Sequence, residues 1–418
     1  MMVGEAKRQA TEDRLGALTL PEGGGWLGAA RKDALDRLRA VGLPGRRDEY
    51  WRYTDPRPLN APEPEGAAEA AGDDPFAGID GFVITVDGDA VIVPDGAPEG
   101  LEVDTLRHAA GADIHWAREI YGTREAAGSR PVSRPFGMLN TAFATDGVLL
   151  RAKGKVARPV HIRYAPGTDP ILHHVVKIEA GATLTLLESG TPGNRGNTAL
   201  EAEIAEDGAL HHLRIQDPDP KRHVNTHFFA ALSARSVLKS FTLSAQGAFV
   251  RNEGTIDLTG DEGSATIAGA AFGRGDFHHD DTVFVTHDAV DCESRQVFKK
   301  VLRDGATGVF QGKILVKEGA QKTDGYQISQ SLLLDDDSVF LAKPELEIYA
   351  DDVACSHGST TGAIDETALF YLRSRGVSKR DATDLLVLSF LAEALEEIDD
   401  EALREHVNDC LAGWLSTH

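Results

Sequence analysis

A cysteine and a histidine two residues apart are the side chains of this chain best suited to chemistry. They are Cys355 and His357, and Asp351 and Asp352 lie just upstream of them. A thiol and an imidazole beside two carboxylates can hold iron or another soft transition metal, or can activate the cysteine as a nucleophile. The same residues can equally be structural, with Cys355 as a small buried hydrophobe and His357 bonded to the backbone at a polar turn between strand and helix. Either kind of chemistry needs further groups from elsewhere.

A second group of metal-ligating residue types lies within residues 275–302. It comprises His278, His279, Asp280, Asp281, His287, Asp288, Asp291 and Cys292. Such a group is typical of a metal site, but polar residues that alternate along a solvent-facing strand produce the same pattern. The sequence leaves the role of these residues open.

The stretch from residue 147 to residue 364 must position both groups, and it is rich in short apolar segments. These are VLLRA, VHIRY, HVVKIE, TLTLLE, VLKSFTL and GKILVK. A turn, a small residue and an alternating strand recur from Gly181, Gly208, Arg235 and Gly263, at spacings of 27, 27 and 28 residues. A fixed period in this range indicates stacked repeats. We therefore predict a mainly β fold with a right-handed parallel β-helix (β-solenoid) core, and an antiparallel sandwich is the structural alternative.

The phase of this repeat also predicts which side chains face the interior of the solenoid. Alternate residues of a strand point to opposite faces, so each repeat places one set of residues inward. The predicted interior residues are Ala182, Leu184, Leu186, Ala209, Val237, Phe241 and Ile267.

The N-terminal part has a helical and then a linker-like composition. Residues 25–41 show apolar side chains on one helical face, which predicts an amphipathic helix. Tyr50, Trp51 and Tyr53 follow among charges of both signs, and we expect them to anchor this region structurally. Residues 60–74 are rich in Pro, Ala, Glu and Gly, which indicates an acidic linker or long loop. We predict an N-terminal helical region with this linker at 1–145.

The C-terminal part is predicted to be helical from Asp365 to the end. The β-helix core would then span 146–364 and a C-terminal helical domain would span 365–418. Three short helices carry more apolar residues than they can bury among themselves, so we expect part of their apolar stripe to pack on the solenoid or on a partner. Cys410 lies on that stripe and is expected to be buried packing.

Composition narrows the classes of function. The 418 residues carry a formal net charge of −23, which disfavours nucleic acid as a partner. Three scattered cysteines are too few for a disulfide framework, and no apolar run is long enough to cross a bilayer. We therefore expect a cytoplasmic protein without a membrane partner. The sequence contains no G-x-x-x-x-G-K-[ST] phosphate loop, so we do not expect it to hydrolyse ATP itself.

The amino-acid sequence around the Cys–His pair resembles the C-terminal signature of the SufB/SufD family of iron–sulfur cluster assembly proteins. The matching residues are Pro344, Leu346, Glu347, Ile348, Ala350, Asp351, Asp352, Val353, Cys355, Ser356, His357, Gly358, Thr361, Gly362, Asp365, Leu369, Phe370, Tyr371, Leu372, Ser374, Arg375 and Gly376. Further family patterns match at Glu49, Trp51, Arg52, Tyr53 and Thr54, and again at His287, Cys292, Ser294, Gln296, Gly308, Val309, Phe310, Gly312, Lys313, Ile314, Ala320, Gln321, Lys322, Thr323 and Asp324. The Cys-Ser-His-Gly form is similar to the SufD branch of the family.

The resemblance implies a non-enzymatic scaffold subunit of the SUF machinery. It would pair with a SufB-like subunit through the β-helix and with a SufC-like ABC ATPase through the C-terminal helices, and it leaves open a homodimer of the isolated chain. A transient iron–sulfur cluster or iron would lie at the SufB interface, with none tightly bound to the chain alone. We expect His357 to face outward as the metal ligand, since imidazole suits iron, and Cys355 to support it.

Two other functions stay open at this point. The first is a SufB-like subunit of the same system that receives sulfur itself. The Cys-Ser-His-Gly motif counts against this alternative. The second is a β-helix enzyme that acts on carbohydrate, which would need a pair of carboxylates on the outer face of the solenoid.

Overall fold

The computed structural model describes residues 4–21, 24–64, 74–165, 169–216 and 218–417. Within these residues the chain alternates between two sheets and forms a β-solenoid. Sheet A has the strand order β19-β17-β15-β13-β11-β9-β7-β5-β1-β2, and sheet B has the order β18-β16-β14-β12-β10-β8-β6-β4-β3. The strands are β1 (Phe82–Asp87), β2 (Ala90–Ile92), β3 (Leu101–Thr105), β4 (Val148–Ala152), β5 (Val160–Ala165), β6 (Ile171–Ile178), β7 (Thr183–Gly190), β8 (Arg195–Ile204), β9 (Ala209–Gln216), β10 (His223–Leu232), β11 (Val237–Ala245), β12 (Phe249–Leu258), β13 (Ser264–Arg274), β14 (His278–His287), β15 (Glu293–Arg303), β16 (Thr307–Val316), β17 (Thr323–Leu333), β18 (Val339–Ile348) and β19 (Val353–Gly362).

Helices precede and follow the solenoid strands β4–β19 along the chain. They are α1 (Glu5–Gly16), α2 (Gly25–Val41), α3 (Arg57–Asn60), α4 (Leu106–Ala109), α5 (Thr123–Gly128), α6 (Pro135–Phe143), α7 (Glu366–Ser374), α8 (Lys379–Leu395) and α9 (Glu401–Thr417). Single 3₁₀ turns occur at Glu49–Trp51 and Trp116–Glu119. The helix predicted over residues 25–41 is confirmed. No helix in the described part of the chain is both long enough and apolar enough to cross a membrane.

Parallel pairing in register confirms the predicted solenoid. Thr183 pairs with Ala209, Ala209 with Val237, and Val237 with Ser264, so the repeated phrases lie one above another. From β4 to β19 the strand pairs of the described residues are parallel, which excludes the antiparallel sandwich. All six apolar segments named above lie in strands, except that Glu179 and Lys317 each follow the last residue of their strand.

A left-handed backbone conformation at the corner of each coil explains the repeated phrase. It falls at Gly181, Asp207, Arg235, Glu262, Asp291 and Lys322, each with φ between 53° and 68°. The next residue is small and, where it has a side chain, buried, as Ala182, Ser236 and Cys292 show. Cys292 therefore occupies a corner position that other coils fill with Ala, Gly, Ser or Thr.

The predicted interior is right at four of its seven positions. Ala182, Leu184, Leu186 and Ile267 belong to the core between the two sheets, which we call the lumen. Ala209 and Val237 are only half-buried, because the strand begins at these residues and the lumen row starts at Leu210 and Leu238 instead. Phe241 is buried, but it packs on the outer face of sheet A with residues of α8 and α9.

Strands β1, β2 and β3 lie in the stretch predicted as the N-terminal helical region, and they extend both sheets. The chain leaves the solenoid at Gly362, and α7 begins at Glu366. The domain boundaries themselves stay predictions. Of the predicted linker at residues 60–74, residues 65–73 lie outside the described residues.

The expected aromatic anchor is present between the N-terminal region and the solenoid. Tyr50 donates a hydrogen bond to Glu345 of β18 at 2.7 Å and meets Phe284 edge to face. Trp51 lies under the guanidinium of Arg251 at 4.0 Å.

Cys410 is half-buried and packs against the cluster between sheet A and the C-terminal helices.

Candidate functional site

The Cys–His pair lies in a strand and not in the polar turn predicted for it. Strand β19 continues through Ser356, and its register with β17 pairs Gly325 with Cys355 and Gln327 with His357. Residues i and i+2 of a strand share a face, so Cys355 and His357 point the same way, with Cα atoms about 6.6 Å apart. This segment is a strand despite its small and polar residues, because its backbone pairs with β17 of the preceding coil.

That shared face is the lumen face, so the expectation that His357 faces outward is wrong. Thr323, Gln327 and Ser331 of β17 lie on the same row and are buried. Two hydrogen bonds carry the row into β19, from Ser329 to Ser359 at 3.1 Å and from Ser331 to Thr361 at 3.2 Å. His357 is nevertheless exposed, because β18 and β19 are the terminal strands of their sheets and this end of the lumen is open.

Cys355 occupies a more enclosed position than His357. It packs against the cluster of Ile314, Val316, Ala320 and Ala350 at the end of the lumen. Gly325 beneath it has no side chain, and a Cβ there would lie 3.2 Å from the Cys355 sulfur. Burial raises the pKa of the Cys355 thiol. The thiol is therefore held protonated and needs a metal ion or a base to become a thiolate.

The donor set at this end fits a shared metal site and not a complete one. His357 and Cys355 supply two ligands from one face. Asp351 and Asp352 lie in the preceding turn, where the backbone N–H of Asp352 donates to Gln321 at 3.0 Å. Within the described residues there is no group of three or more His, Cys, Asp or Glu arranged to hold a metal. Iron or a cluster bound here would need ligands from a second chain.

The part of the second polar group that lies within β14 is largely buried, whereas Asp288 and Asp291 in the following turn are exposed. Strand β14 carries most of the group, and Asp280 and Asp281 are at most 4% exposed. Asp280 accepts from Arg251 and from Thr54 at 2.5 Å, whereas Asp281 accepts from Lys300 at 2.6 Å. The alternative of a solvent-facing strand is therefore wrong. These residues join the N-terminal region and successive coils to each other.

The histidines of this group are neutral and internally bonded. Burial holds the pKa of His279 well below its usual range, and Lys300 lies 2.6 Å from its Nδ1 atom. Burial also lowers the pKa of His287 to about 4, and its Nε2 atom lies 2.8 Å from the hydroxyl of Ser294.

The residues beneath His357 escaped sequence reasoning. Gln327 lies on the same lumen row one coil before His357, and Gln296 lies two coils before it. Both are fully buried. The signal in the sequence is a polar residue recurring once per coil. It is visible only when the register is known, because the later coils are longer than the 27 or 28 residues of the earlier ones.

Comparisons with known proteins agree in pointing to one family. The family model for the SUF system FeS cluster assembly, SufBD core domain, matches residues 165–390. The iron–sulfur cluster assembly protein SufD of Escherichia coli is 29% identical over 395 residues, which cover 89% of each chain. A SufBD family protein of Synechocystis is 27% identical over 91% of this chain and 90% of its own. SufD of Bacillus subtilis is 30% identical over 37% of this chain and 36% of its own.

Proposed function

Because this chain belongs to the SufBD family of the SUF iron–sulfur cluster assembly system, we propose that it is a SufD-type scaffold subunit whose open solenoid end forms half of a site for a nascent cluster. The observation that carries the proposal is the placement of Cys355 and His357 on one face of the last strand, at an end of the lumen that nothing in the described residues closes. The other ligands would come from a SufB-like subunit.

The terminal strands support the pairing with that subunit. Strands β18 and β19 each have one edge without a neighbouring strand within the described residues, and such an edge presents backbone N–H and C=O groups for pairing. Apolar side chains are exposed along β18 and just after it, at Val339, Ile348 and Tyr349. A second solenoid that adds its own strands here would cover these groups and face its ligands toward His357. The homodimer left open above would use the same edges in the isolated chain.

The C-terminal helices support docking of an ABC-type ATPase. Val387 and Leu391 of α8 are buried against the solenoid, which uses much of the predicted apolar stripe. Phe370 and Tyr371 of α7 and Leu385 of α8 are 72%, 55% and 50% exposed. This exposed aromatic and aliphatic group is the proposed contact for the ATPase, and ATP hydrolysis is assigned to that partner.

The proposed cluster or iron is cargo that the complex assembles and passes on. His357 would bind it through a neutral imidazole, and Cys355 would bind as a thiolate once the metal displaces its proton. No further group on this chain is assigned a catalytic role. The cytoplasmic location is part of the proposal and rests on the low cysteine content, three scattered cysteines in the whole sequence.

The site is tested by replacing His357 with alanine and rebuilding the complex with its SufB-like and SufC-like partners. We expect iron and acid-labile sulfide after reconstitution to fall at least several-fold, while the complex elutes intact. Ser356→Ala is the matched control, because Ser356 lies on the opposite face of the same strand and is also exposed. Full cluster content in an intact H357A complex would refute the proposed site.

The ATPase contact needs a separate test, because deleting residues 365–418 would also uncover Phe241 and its neighbours on sheet A. Phe370→Asp together with Leu385→Asp changes only exposed positions. We expect this double variant to lose co-purification with the ATPase and to keep its β-rich circular dichroism spectrum. Lys379→Asp, at an exposed position at the start of α8, is the control for added charge. Unchanged ATPase binding by the double variant would refute the contact.

A further inference from the structure

Three side chains form a column along the lumen toward its open end. Gln296 of β15, Gln327 of β17 and His357 of β19 are direct partners in successive pairs of the parallel ladder. Gln296 and Gln327 are fully buried, whereas His357 is exposed. Neighbouring strands lie about 4.8 Å apart, so each side chain in the column lies within reach of the next.

The Gln327 amide is oriented by the coil below it. Its Nε2 atom donates to Oε1 of Gln296 at 2.9 Å. Gly312 on the opposite strand β16 leaves room for this arrangement, because a Cβ at that position would lie only 2.3 Å from Nε2 of Gln327. The contact with Gln296 uses only the nitrogen of this amide, so the Gln327 oxygen is left for a different partner.

That oxygen is buried and has no hydrogen-bond partner among the described residues. Most buried polar groups of proteins have a hydrogen-bond partner, so this acceptor is available to a nearby donor. The imidazole of His357 is the next group in the column and carries an N–H in its neutral form. The two side chains share no hydrogen bond in the structure, but rotation of the exposed ring about its side-chain torsions can close the gap.

We propose that Gln327 is a positioning residue for His357. Its Oε1 accepts the ring N–H, which selects one tautomer and leaves the lone pair of the other ring nitrogen facing the open end. A ligating histidine whose second nitrogen is bonded to a carbonyl is held in orientation and is a stronger base. The inference rests on the proposed role of His357 as a ligand for iron.

The tautomer itself is the readout that a merely structural role would not change. In the full-length chain labelled with ¹⁵N-histidine, nitrogen shifts report the protonated ring atom, and the His357 signal is assigned by its loss in H357A. We expect one neutral tautomer in the wild-type chain and in Q327E, whose carboxylate can accept the same N–H. We expect a mixture of both tautomers in Q327M, which has similar length but no oxygen acceptor.

The matched control is S329A, which removes the hydrogen bond from Ser329 to Ser359 on the same strand and leaves the glutamine column intact. It should keep the single tautomer. A single tautomer in Q327M, with the same nitrogen protonated as in wild type, would overturn the inference. If Q327M fails to fold, Q327N gives the same reading, since it keeps the amide but withdraws it by one methylene.

Binding of Fe²⁺ to the complex rebuilt with its partners separates this inference from the proposed function. We expect Q327M to weaken Fe²⁺ binding about 10- to 100-fold, in the range typical of lost partners behind a metal ligand, and Q327E to restore it in part. Loss of binding in H357A together with unchanged binding in Q327M would refute the positioning role alone. Full cluster content in H357A together with a mixed tautomer in Q327M would refute the proposed function alone.

Discussion

The two outer faces of the solenoid are covered in physically different ways. The N-terminal cover, formed by α1–α6 and the short turns beside these helices, packs on sheet B. The C-terminal cover, formed by α7–α9, packs on sheet A. Both bury apolar residues, but they differ in where their charged groups lie.

Where the N-terminal cover meets the middle of sheet B, charged groups are buried with their partners. Arg134 lies 2.7 Å from Glu253, and both side chains are at most 4% exposed. Arg251 contacts Asp280 and Glu253 on sheet B and lies over the ring of Trp51 from the cover. Removing one member of such a set leaves an uncompensated buried charge, so this cover is an integral part of the fold.

Most charged contacts between the C-terminal cover and sheet A lie at the margins of the cover. Lys239 pairs with Asp399 at 2.5 Å and Arg295 with Glu397 at 2.9 Å, and each pair keeps one side chain at least half exposed. A cavity of about 350 Å³ remains between the turn joining α8 to α9 and sheet A. The exception is Lys299 of β15, which is buried and pairs with the exposed Glu393 of α8. A shift of this cover would break mainly exposed ion pairs, a property that suits a surface on which a moving partner docks.

The largest effect is expected from breaking the N-terminal ion cluster. Arg251→Met should lower the free energy of unfolding by about 3 to 5 kcal/mol, because Asp280 and Glu253 remain buried without this cation. Urea unfolding followed by circular dichroism measures the change. Arg235→Met is the control, since Arg235 pairs with Asp207 and Glu206 at an exposed corner. Equal losses in the two variants would contradict the distinction between buried and marginal charges.

Packing under the C-terminal cover should contribute a somewhat smaller amount. Phe241→Ala is expected to cost about 3 kcal/mol, the lower end for a buried phenylalanine, because α8 and α9 can move inward and reduce the cavity. The same urea experiment tests this change, and faster amide exchange in α8 would locate the effect. A loss below about 1 kcal/mol would show that Phe241 is not buried as described.

Acid should weaken the N-terminal cover through His227. This side chain is fully buried, neither ring nitrogen has a hydrogen-bond partner among the described residues, and burial lowers its pKa from 6.5 to about 4. Between these two pH values the unfolded chain binds more protons than the folded chain, so stability falls as pH decreases from 6.5 to 4.

His227→Phe should remove this part of the pH dependence, roughly 2 kcal/mol across the window. Phenylalanine can keep the stacking of the imidazole on Phe229. The free energy of unfolding is measured at several pH values for both proteins. Parallel curves for wild type and variant would exclude His227 as a source of the acid sensitivity.

The smallest effect is expected at the margin of the C-terminal cover. Lys239→Met removes the ion pair with Asp399 and should change the free energy of unfolding by less than about 1 kcal/mol. Added salt should reduce even this difference, because exposed pairs are screened. A loss comparable to that of Arg251→Met would remove the contrast between the two covers.

The sequence by itself determined the solenoid, the corners of its early coils and the family. Short alternating segments at a period of 27 or 28 residues require stacked coils, since a single coil cannot bury its inner face alone. The corner motif can be recognised locally, because it consists of a residue in the left-handed conformation followed by a residue small enough to be buried. Cys355 and His357 could also be recognised locally, because their residue types and their spacing are visible in the sequence without the fold.

Only the tertiary structure decided which faces are inside. Alternation distinguishes two faces of a strand but not which one meets the lumen when helices also cover the outer face, and so Phe241 was assigned to the wrong side. The sequence leaves the role of the polar residues of β14 open, because their partners, Arg251, Lys300 and Thr54, lie elsewhere in the chain. The turn predicted at Cys355 is a strand because β17 supplies its hydrogen bonds, and that pairing places His357 above Gln327 at the open end of the lumen.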